Sequence, residues 1–194
     1  MTLTTANFLP TDGCVTLGAD FLADQADRLF AHLLHETRWQ QESLEMYGKS
    51  IALPRLTAWY GDAGSSYAYS GITMNPHPWT PTLQAIKQQV EAASGTIFNS
   101  VLLNLYQDGN HSVSWHSDDE KELGDNPTIA SLSLGGSRAF HLKHKRTKET
   151  IKLELGSGSL LLMSGETQHH WVHQVPKTKK FVTPRINLTF RTIL

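Results

Sequence analysis

Cysteine is almost missing from this chain. Cys14 is the single one in 194 residues, so no intrachain disulfide can form, which suits a reducing compartment. The opening Met-Thr-Leu-Thr-Thr-Ala-Asn has neither the basic start nor the apolar core of a signal peptide. No apolar run approaches the length that spans a bilayer. The expectation is a protein without membrane association, cytoplasmic or, in a eukaryote, nuclear. A dominant charge is lacking too: 17 Lys and Arg stand against 18 Asp and Glu, for a net charge of -1. Bulk electrostatic attraction to nucleic acid is thereby excluded, and any such contact has to come from a local basic patch. Internal repeats, low-complexity stretches and a visible domain boundary are absent as well. At 39% hydrophobic and 18% charged residues, the composition is that of an ordinary globular protein. Residues 1–194 therefore read as a single domain, long enough to bury a sizeable core.

What is present is concentrated between Asn104 and Glu120, N-L-Y-Q-D-G-N-H-S-V-S-W-H-S-D-D-E. Val101, Leu102, Leu103 and Leu105 supply the apolar bulk of a strand. Residues two apart in a strand share a face, so Asn104 and Tyr106 look the same way. Gln107-Asp108-Gly109-Asn110 is turn chemistry. A second extended run follows and ends in His116-Ser117-Asp118, where the same spacing aims an imidazole and a carboxylate at one point. A His-x-Asp pair joined by a distant histidine can grip a ferrous ion and leave coordination positions open. Alone, the pair says little. Three histidines, His169, His170 and His173, compete for the third position, and spacing does not choose among them.

The C-terminal Pro184-Arg185-Ile186-Asn187-Leu188-Thr189-Phe190-Arg191 alternates strictly. Arg185, Asn187, Thr189 and Arg191 share one face; Ile186, Leu188 and Phe190 share the other. The polar face points either to water or into a cavity. In a cavity, two arginines with an amide and a hydroxyl between them would hold a dianion through charge-assisted hydrogen bonds.

The remaining chain supplies scaffold. Residues 1 to 18 read as an arm with short extended pieces. Asp20 is placed to cap a helix running to about Thr37, with Leu22, Ala26, Leu29, Phe30, Leu33 and Leu34 on one stripe. Short strands follow from Trp39 to Tyr60. Within them, Met46-Tyr47-Gly48-Lys49 is a tight hairpin with an aromatic at its tip. Tyr47 either folds back onto the sheet or acts as a wedge in a base stack. Tyr67 and Tyr69 alternate in a further short strand. Thr80 with Pro81 starts a second helix, striped by Leu83, Ile86 and Val90 and stopped at Gly95. Further strands are expected over 129–134, 151–155 and 159–163, with Gly135-Gly136 as a hairpin turn. Arg138 to Lys148 is the most basic stretch, either a solvated hairpin or a phosphate contact.

Taken together, Asn104-x-Tyr106, His116-x-Asp118, the His170-Trp171-Val172-His173-Gln174-Val175-Pro176 segment and Arg185-x-Asn187-x-Thr189-Phe190-Arg191 resemble the AlkB family of Fe(II)- and 2-oxoglutarate-dependent dioxygenases. The likeness extends to about 46–71 and is strongest to members that repair alkylated duplex DNA. It implies a mainly β, α+β fold: a double-stranded β-helix, or jelly roll, with two N-terminal supporting helices. Residues 40–75 would form nucleotide-recognition hairpins and residues 100–194 the core. It further implies Fe(II) on His116, Asp118 and His173. Arg185 with Tyr106 would hold the distal carboxylate of 2-oxoglutarate; Arg191, with Asn104 and Asn187, would hold the one beside iron, with dioxygen as second co-substrate. For the nucleotide it implies Tyr47, Arg55, Tyr69 and Ser70 in the recognition region and Glu120 near the base amino group, although Glu120 also reads as a surface carboxylate. The implied activity is oxidative demethylation of N-alkylated bases such as 1-methyladenine and 3-methylcytosine, on a base lifted out of the stack. The expected partner is duplex DNA, with single-stranded DNA, RNA or protein as the alternative, and the expected state is a monomer. A non-enzymatic nucleic-acid binder on the same fold is the remote alternative.

Overall fold

The structure is a computed structural model that describes residues 6–46, 49–64, 67–69, 72–74 and 76–194, with backbone alone for 44–46, 49, 67–69 and 72–74. In chain order the elements are β1 (Cys14–Gly18), α1 (Ala26–Glu36), β2 (Ser43–Met46), β3 (Lys49–Ala52), β4 (Leu56–Gly61), β5 (Tyr67–Tyr69) and β6 (Ile72–Met74). There follow α2 (Pro81–Ser94), β7 (Ser100–Tyr106), β8 (Val113–His116), β9 (Ile129–Gly135), β10 (Arg138–His144) and β11 (Thr150–Leu155). The chain closes with β12 (Leu160–Ser164), the helical turn α3 (Thr167–His170), β13 (Trp171–Val175) and β14 (Arg185–Arg191).

Two antiparallel sheets carry the architecture. The larger has six strands in the order β1-β12-β9-β14-β7-β4, and the smaller has four, β11-β10-β13-β8. The hairpins β2-β3 and β5-β6 stand outside them. Met46 pairs with Lys49 and Tyr69 with Ile72, as tight hairpins require. Tyr47, Gly48, Ser70 and Gly71 fall outside the described residues.

The alternation in β14 now has its physical cause. Ile186, Leu188 and Phe190 are fully buried and join Leu29 and Leu33 of α1 and Leu83, Ile86 and Val90 of α2 in one apolar cluster. Burial of each large side chain contributes about 1.5–3 kcal/mol. The opposite face of the larger sheet meets the smaller sheet: Tyr106, Ile129, Leu161 and Met163 pack with Phe140, Leu142, Trp171 and Val175. Both faces of β14 are therefore covered by protein. Its polar residues point into the space between the sheets, where Arg185, Asn187 and Thr189 are buried.

α2 forms as its sequence predicts. The Thr80 side chain accepts from the Leu83 amide at 3.2 Å, Pro81 opens the first turn, and Gly95 closes the helix at φ 68°. α1 starts later than Asp20 would place it. Residues 19–25 turn under the sheet, with the Leu22 amide bonded to the Gly158 carbonyl, and Gln25 takes the cap position without a side-chain bond. Gly135-Gly136 is likewise not a hairpin turn. β9 lies in the larger sheet and β10 in the smaller, so the two glycines carry the chain from one layer to the other. A Cβ at Gly135 would come within 2.6 Å of the Phe30 ring and of the Pro184 carbonyl, and its φ is +82°. The same dipeptide serves a crossover as readily as a hairpin.

Candidate active site

β8 and β13 pair so that His116 faces His173 directly, with ring centroids 4.2 Å apart. Asp118 comes two residues past the end of β8, on chain with no ladder of its own. Its backbone N–H is held instead by the side-chain oxygen of Gln168 at 2.9 Å. One ligand atom from each of His116, Asp118 and His173 lies within 4.8 Å of the others. Asp118 and His173 are buried. His116 Nδ1 lies 2.8 Å from the Ser114 carbonyl, which only accepts. The proton therefore sits on Nδ1, and Nε2 keeps its lone pair for a metal.

Charge states suit the same purpose. Burial, reinforced by neighbouring His116, pushes the His173 imidazole down to about 3 against the pull of Asp118, so it is neutral in use. Burial opposes the charge on Asp118, but the Arg191 guanidinium, bonded to Oδ1 at 2.8 Å, together with His173 and His116, more than offsets it and holds the carboxyl at about 2. Two imidazoles and one carboxylate gathered at one point form the donor set that takes a divalent first-row cation.

The cavity beside this cluster is lined by Asn104 and Tyr106 of β7, by Arg185, Asn187, Thr189 and Arg191 of β14, and by Arg55. Arg185 is its unusual member. It is 1% exposed and donates through Nη2 to Ser133 Oγ at 2.9 Å, while Nε and Nη1 are buried without a hydrogen-bond partner. Its guanidinium carbon lies 5.3 Å from the Tyr106 ring centre. Burial pushes the group down to about 10 against the pull of Tyr106, so it remains a cation at neutral pH. A buried cation with two unused donors is costly unless an anion meets it. Asn187 has its amide engaged by Ser131 Oγ at 2.7 Å and the Leu132 carbonyl at 3.2 Å, and its oxygen accepts from Thr189 at 2.8 Å. It braces the wall between the two arginines.

A cluster for a metal and a cationic pocket for a carboxylate thus share one cavity. The sequence profile of the 2OG-Fe(II) oxygenase superfamily matches residues 13–191. The chain belongs to this superfamily. It is 41% identical over 181 residues to the DNA oxidative demethylase ALKBH2 of Mus musculus, an alignment covering 88% of this chain and 76% of that protein. It is 45% identical over 179 residues to the alpha-ketoglutarate-dependent dioxygenase alkB homolog 3 of Bos taurus, covering 87% and 62%. Within the superfamily it groups with these AlkB homologues. A solved structure, that of OsALKBH1, matches with a TM-score of 0.69 at 19% identity over 96% of this chain and all of that one, which shows the jelly-roll fold. The chain is therefore a 2-oxoglutarate-dependent dioxygenase, with Fe(II) as its metal and 2-oxoglutarate and dioxygen as co-substrates.

The other predicted residues of this oxygenase take varied places. Arg55 is buried and turned inward, its Nε donating to Asn104 Oδ1 at 2.7 Å. Glu120 is half-buried, two residues past Asp118, with Oε2 enclosed and without a hydrogen-bond partner. Tyr69 lies on β5, of which the backbone alone is described; Tyr47 and Ser70 fall outside the described residues. In the basic stretch Arg146 and Lys148 are exposed, but the other cations are engaged by the protein. Arg138 is 3% exposed and donates to the carbonyls of Asp108, His111 and Pro176, tying the loop after β7 to the loop after β13. Lys145 bonds Asp119 and the Gln168 carbonyl, and Lys143 lies 4.3 Å over the Trp115 ring.

A second cluster, Asp12, His144 and His170, also gathers possible ligand atoms. Here the chemistry differs. His144 Nδ1 accepts from the amides of Arg146 and Thr147 at 3.2 and 3.0 Å. Its proton is thus on Nε2, which faces Asp12 Oδ2 at 3.0 Å. This is a hydrogen bond that ties the N-terminal arm to the smaller sheet. Gln168 and Arg138 are the residues whose roles sequence reasoning missed. A lone glutamine in a short turn carries no signal, and Arg138 was hidden among exposed lysines.

Proposed function

We propose that the chain is a DNA oxidative demethylase that removes methyl groups from ring nitrogens of bases such as 1-methyladenine and 3-methylcytosine. The observation that carries this reading is the single cavity in which the His116–Asp118–His173 cluster and the unsatisfied donors of Arg185 open together. Similarity to the DNA oxidative demethylase ALKBH2 over 88% of the chain supports DNA as the substrate.

His116 through Nε2, Asp118 and His173 would hold Fe(II) beside the cavity that takes the co-substrate. Arg185, whose Nε and Nη1 are buried without partners, would receive the distal carboxylate of 2-oxoglutarate, with Tyr106 beside it. Arg191, already on Asp118, orients the carboxylate nearer the metal, with Asn104 turned toward the same space. Bound Fe(II), 2-oxoglutarate and dioxygen together supply the oxidation of the N-methyl carbon, after which the hydroxymethylated base loses formaldehyde. Leu102, Phe140, Met163 and Val175 line the cavity with apolar surface and limit the water that reaches it. Glu120 accepts from the exocyclic amino group of the flipped base; its enclosed oxygen without a hydrogen-bond partner supports this reading. Tyr69 and Ser70 contact the base, and Tyr47 fills the gap that it leaves in a duplex. Nothing in the reaction requires a second copy, and a monomer is the expected working form.

The test is repair of 1-methyladenine in matched single- and double-stranded oligonucleotides with Fe(II), with and without 2-oxoglutarate. Repair that depends on 2-oxoglutarate and proceeds on duplex is expected. Succinate formed without repair of either strand form would move the substrate to RNA or protein.

A further inference from the structure

His116 and His173 are placed by a strand ladder, but Asp118 is not. β8 ends at His116, and residues 117–120 have no regular structure. The third ligand hangs on a contact from 50 residues away, the Asp118 amide donating to Gln168 Oε1 at 2.9 Å. Gln168 is 0% exposed, and its Nε2 has only the weak acceptor Met163 Sδ at 3.7 Å. The helical turn that carries it is fixed by its neighbour. Thr167 Oγ1 donates to the Ser164 carbonyl at 2.6 Å and accepts from the Cys14 amide at 2.9 Å. Lys145 then clasps both sides, with Nζ donating to the Gln168 carbonyl at 2.9 Å and to Asp119 Oδ2 at 3.1 Å. The same turn runs directly into β13, which bears His173.

We infer that Gln168 is the positioning residue for Asp118, a latch with Lys145 that sets the third metal ligand relative to the two histidines. This rests on the reading of His116, Asp118 and His173 as the metal ligands. A buried glutamine that spends its oxygen on one amide has no packing advantage over methionine, which has nearly the same volume. The hydrogen bond is what the position requires.

The test is Mn(II) affinity of the full chain, followed by the paramagnetic resonance of free Mn(II), together with thermal melting of the metal-free protein. Gln168→Met should weaken Mn(II) binding about tenfold or more, in line with other residues that orient metal ligands. Gln168→Glu, which keeps an acceptor oxygen toward Asp118, should recover most of that loss. Lys145→Met, on a side chain outside the core, should weaken binding less, and it decides the matter if Gln168→Met does not fold. Unchanged Mn(II) affinity in the folded variants would overturn the latch. Equal affinity in wild type and Asp118→Ala would overturn the metal reading itself, and the latch with it.

Discussion

Replacing Arg185 by Met separates what the residue does for the fold from what it does for the co-substrate. Arg185 is a buried cation that donates to Ser133 and has Nε and Nη1 enclosed without hydrogen-bond partners. Removing such a charge and retaining the bulk of the side chain is neutral or stabilising, by up to about 1–4 kcal/mol in comparable sites. With 2-oxoglutarate bound, those donors would make two charge-assisted hydrogen bonds at about 1.5–3 kcal/mol each. Their loss, about 3–6 kcal/mol, weakens co-substrate binding by about a hundredfold or more. The assay is thermal melting with Mn(II) present while 2-oxoglutarate is raised. At about one hundred times its dissociation constant the ligand stabilises wild type by about 2.7 kcal/mol, a rise of about 5–10 °C for a chain of this length. Arg185→Met should melt at or above the wild-type temperature without ligand and show almost no rise with it. A variant that still rises by several degrees at the same 2-oxoglutarate concentrations would refute the assignment of this pocket.

Further outcomes follow from other residues. His173 is neutral when folded, with its pKa depressed to about 3 chiefly by burial, whereas an unfolded histidine protonates near 6.5. Between those values the unfolded state binds the extra proton. The metal-free protein should therefore be at full strength above pH 6.5 and lose up to about 1.4 kcal/mol per pH unit as pH falls. Urea titrations from pH 7.5 to 4.5 would measure the slope, and His173→Leu should flatten it. Arg138→Met should cost about 3 kcal/mol or more in chemical denaturation, since three carbonyls in two loops lose a shared donor, while leaving Mn(II) affinity as in wild type. Tyr47→Ala should reduce repair of duplex more than of single strands in rate comparisons on matched oligonucleotides; an equal effect on both would remove the wedge.

Much of the site was legible because strand parity is a local property. Asn104 with Tyr106, and Arg185 with Asn187, Thr189 and Arg191, share faces by spacing alone, and the structure brings both sets to one cavity. Local pattern did not say whether the polar face of β14 met water or a cavity. That depends on the smaller sheet closing over it. Two local signals also stood for more than one structure. Gly135-Gly136 reads as a hairpin but crosses between layers, and Arg138 reads as one more exposed cation but is sealed under three carbonyls. His116-Ser117-Asp118 looked like one extended run, yet the strand stops at His116 and a distant glutamine takes over. Asp20 failed as a helix cap because Leu22 is bonded to Gly158 first, a contact with no trace in the local sequence.

The most direct test of the account is to count products from a 1-methyladenine oligonucleotide under limiting 2-oxoglutarate, in wild type and in Asp118→Ala. If metal, co-substrate and base meet in the one cavity, wild type releases one formaldehyde for each succinate and Asp118→Ala releases neither. Formaldehyde released from the DNA without 2-oxoglutarate, or undiminished in Asp118→Ala, would contradict it.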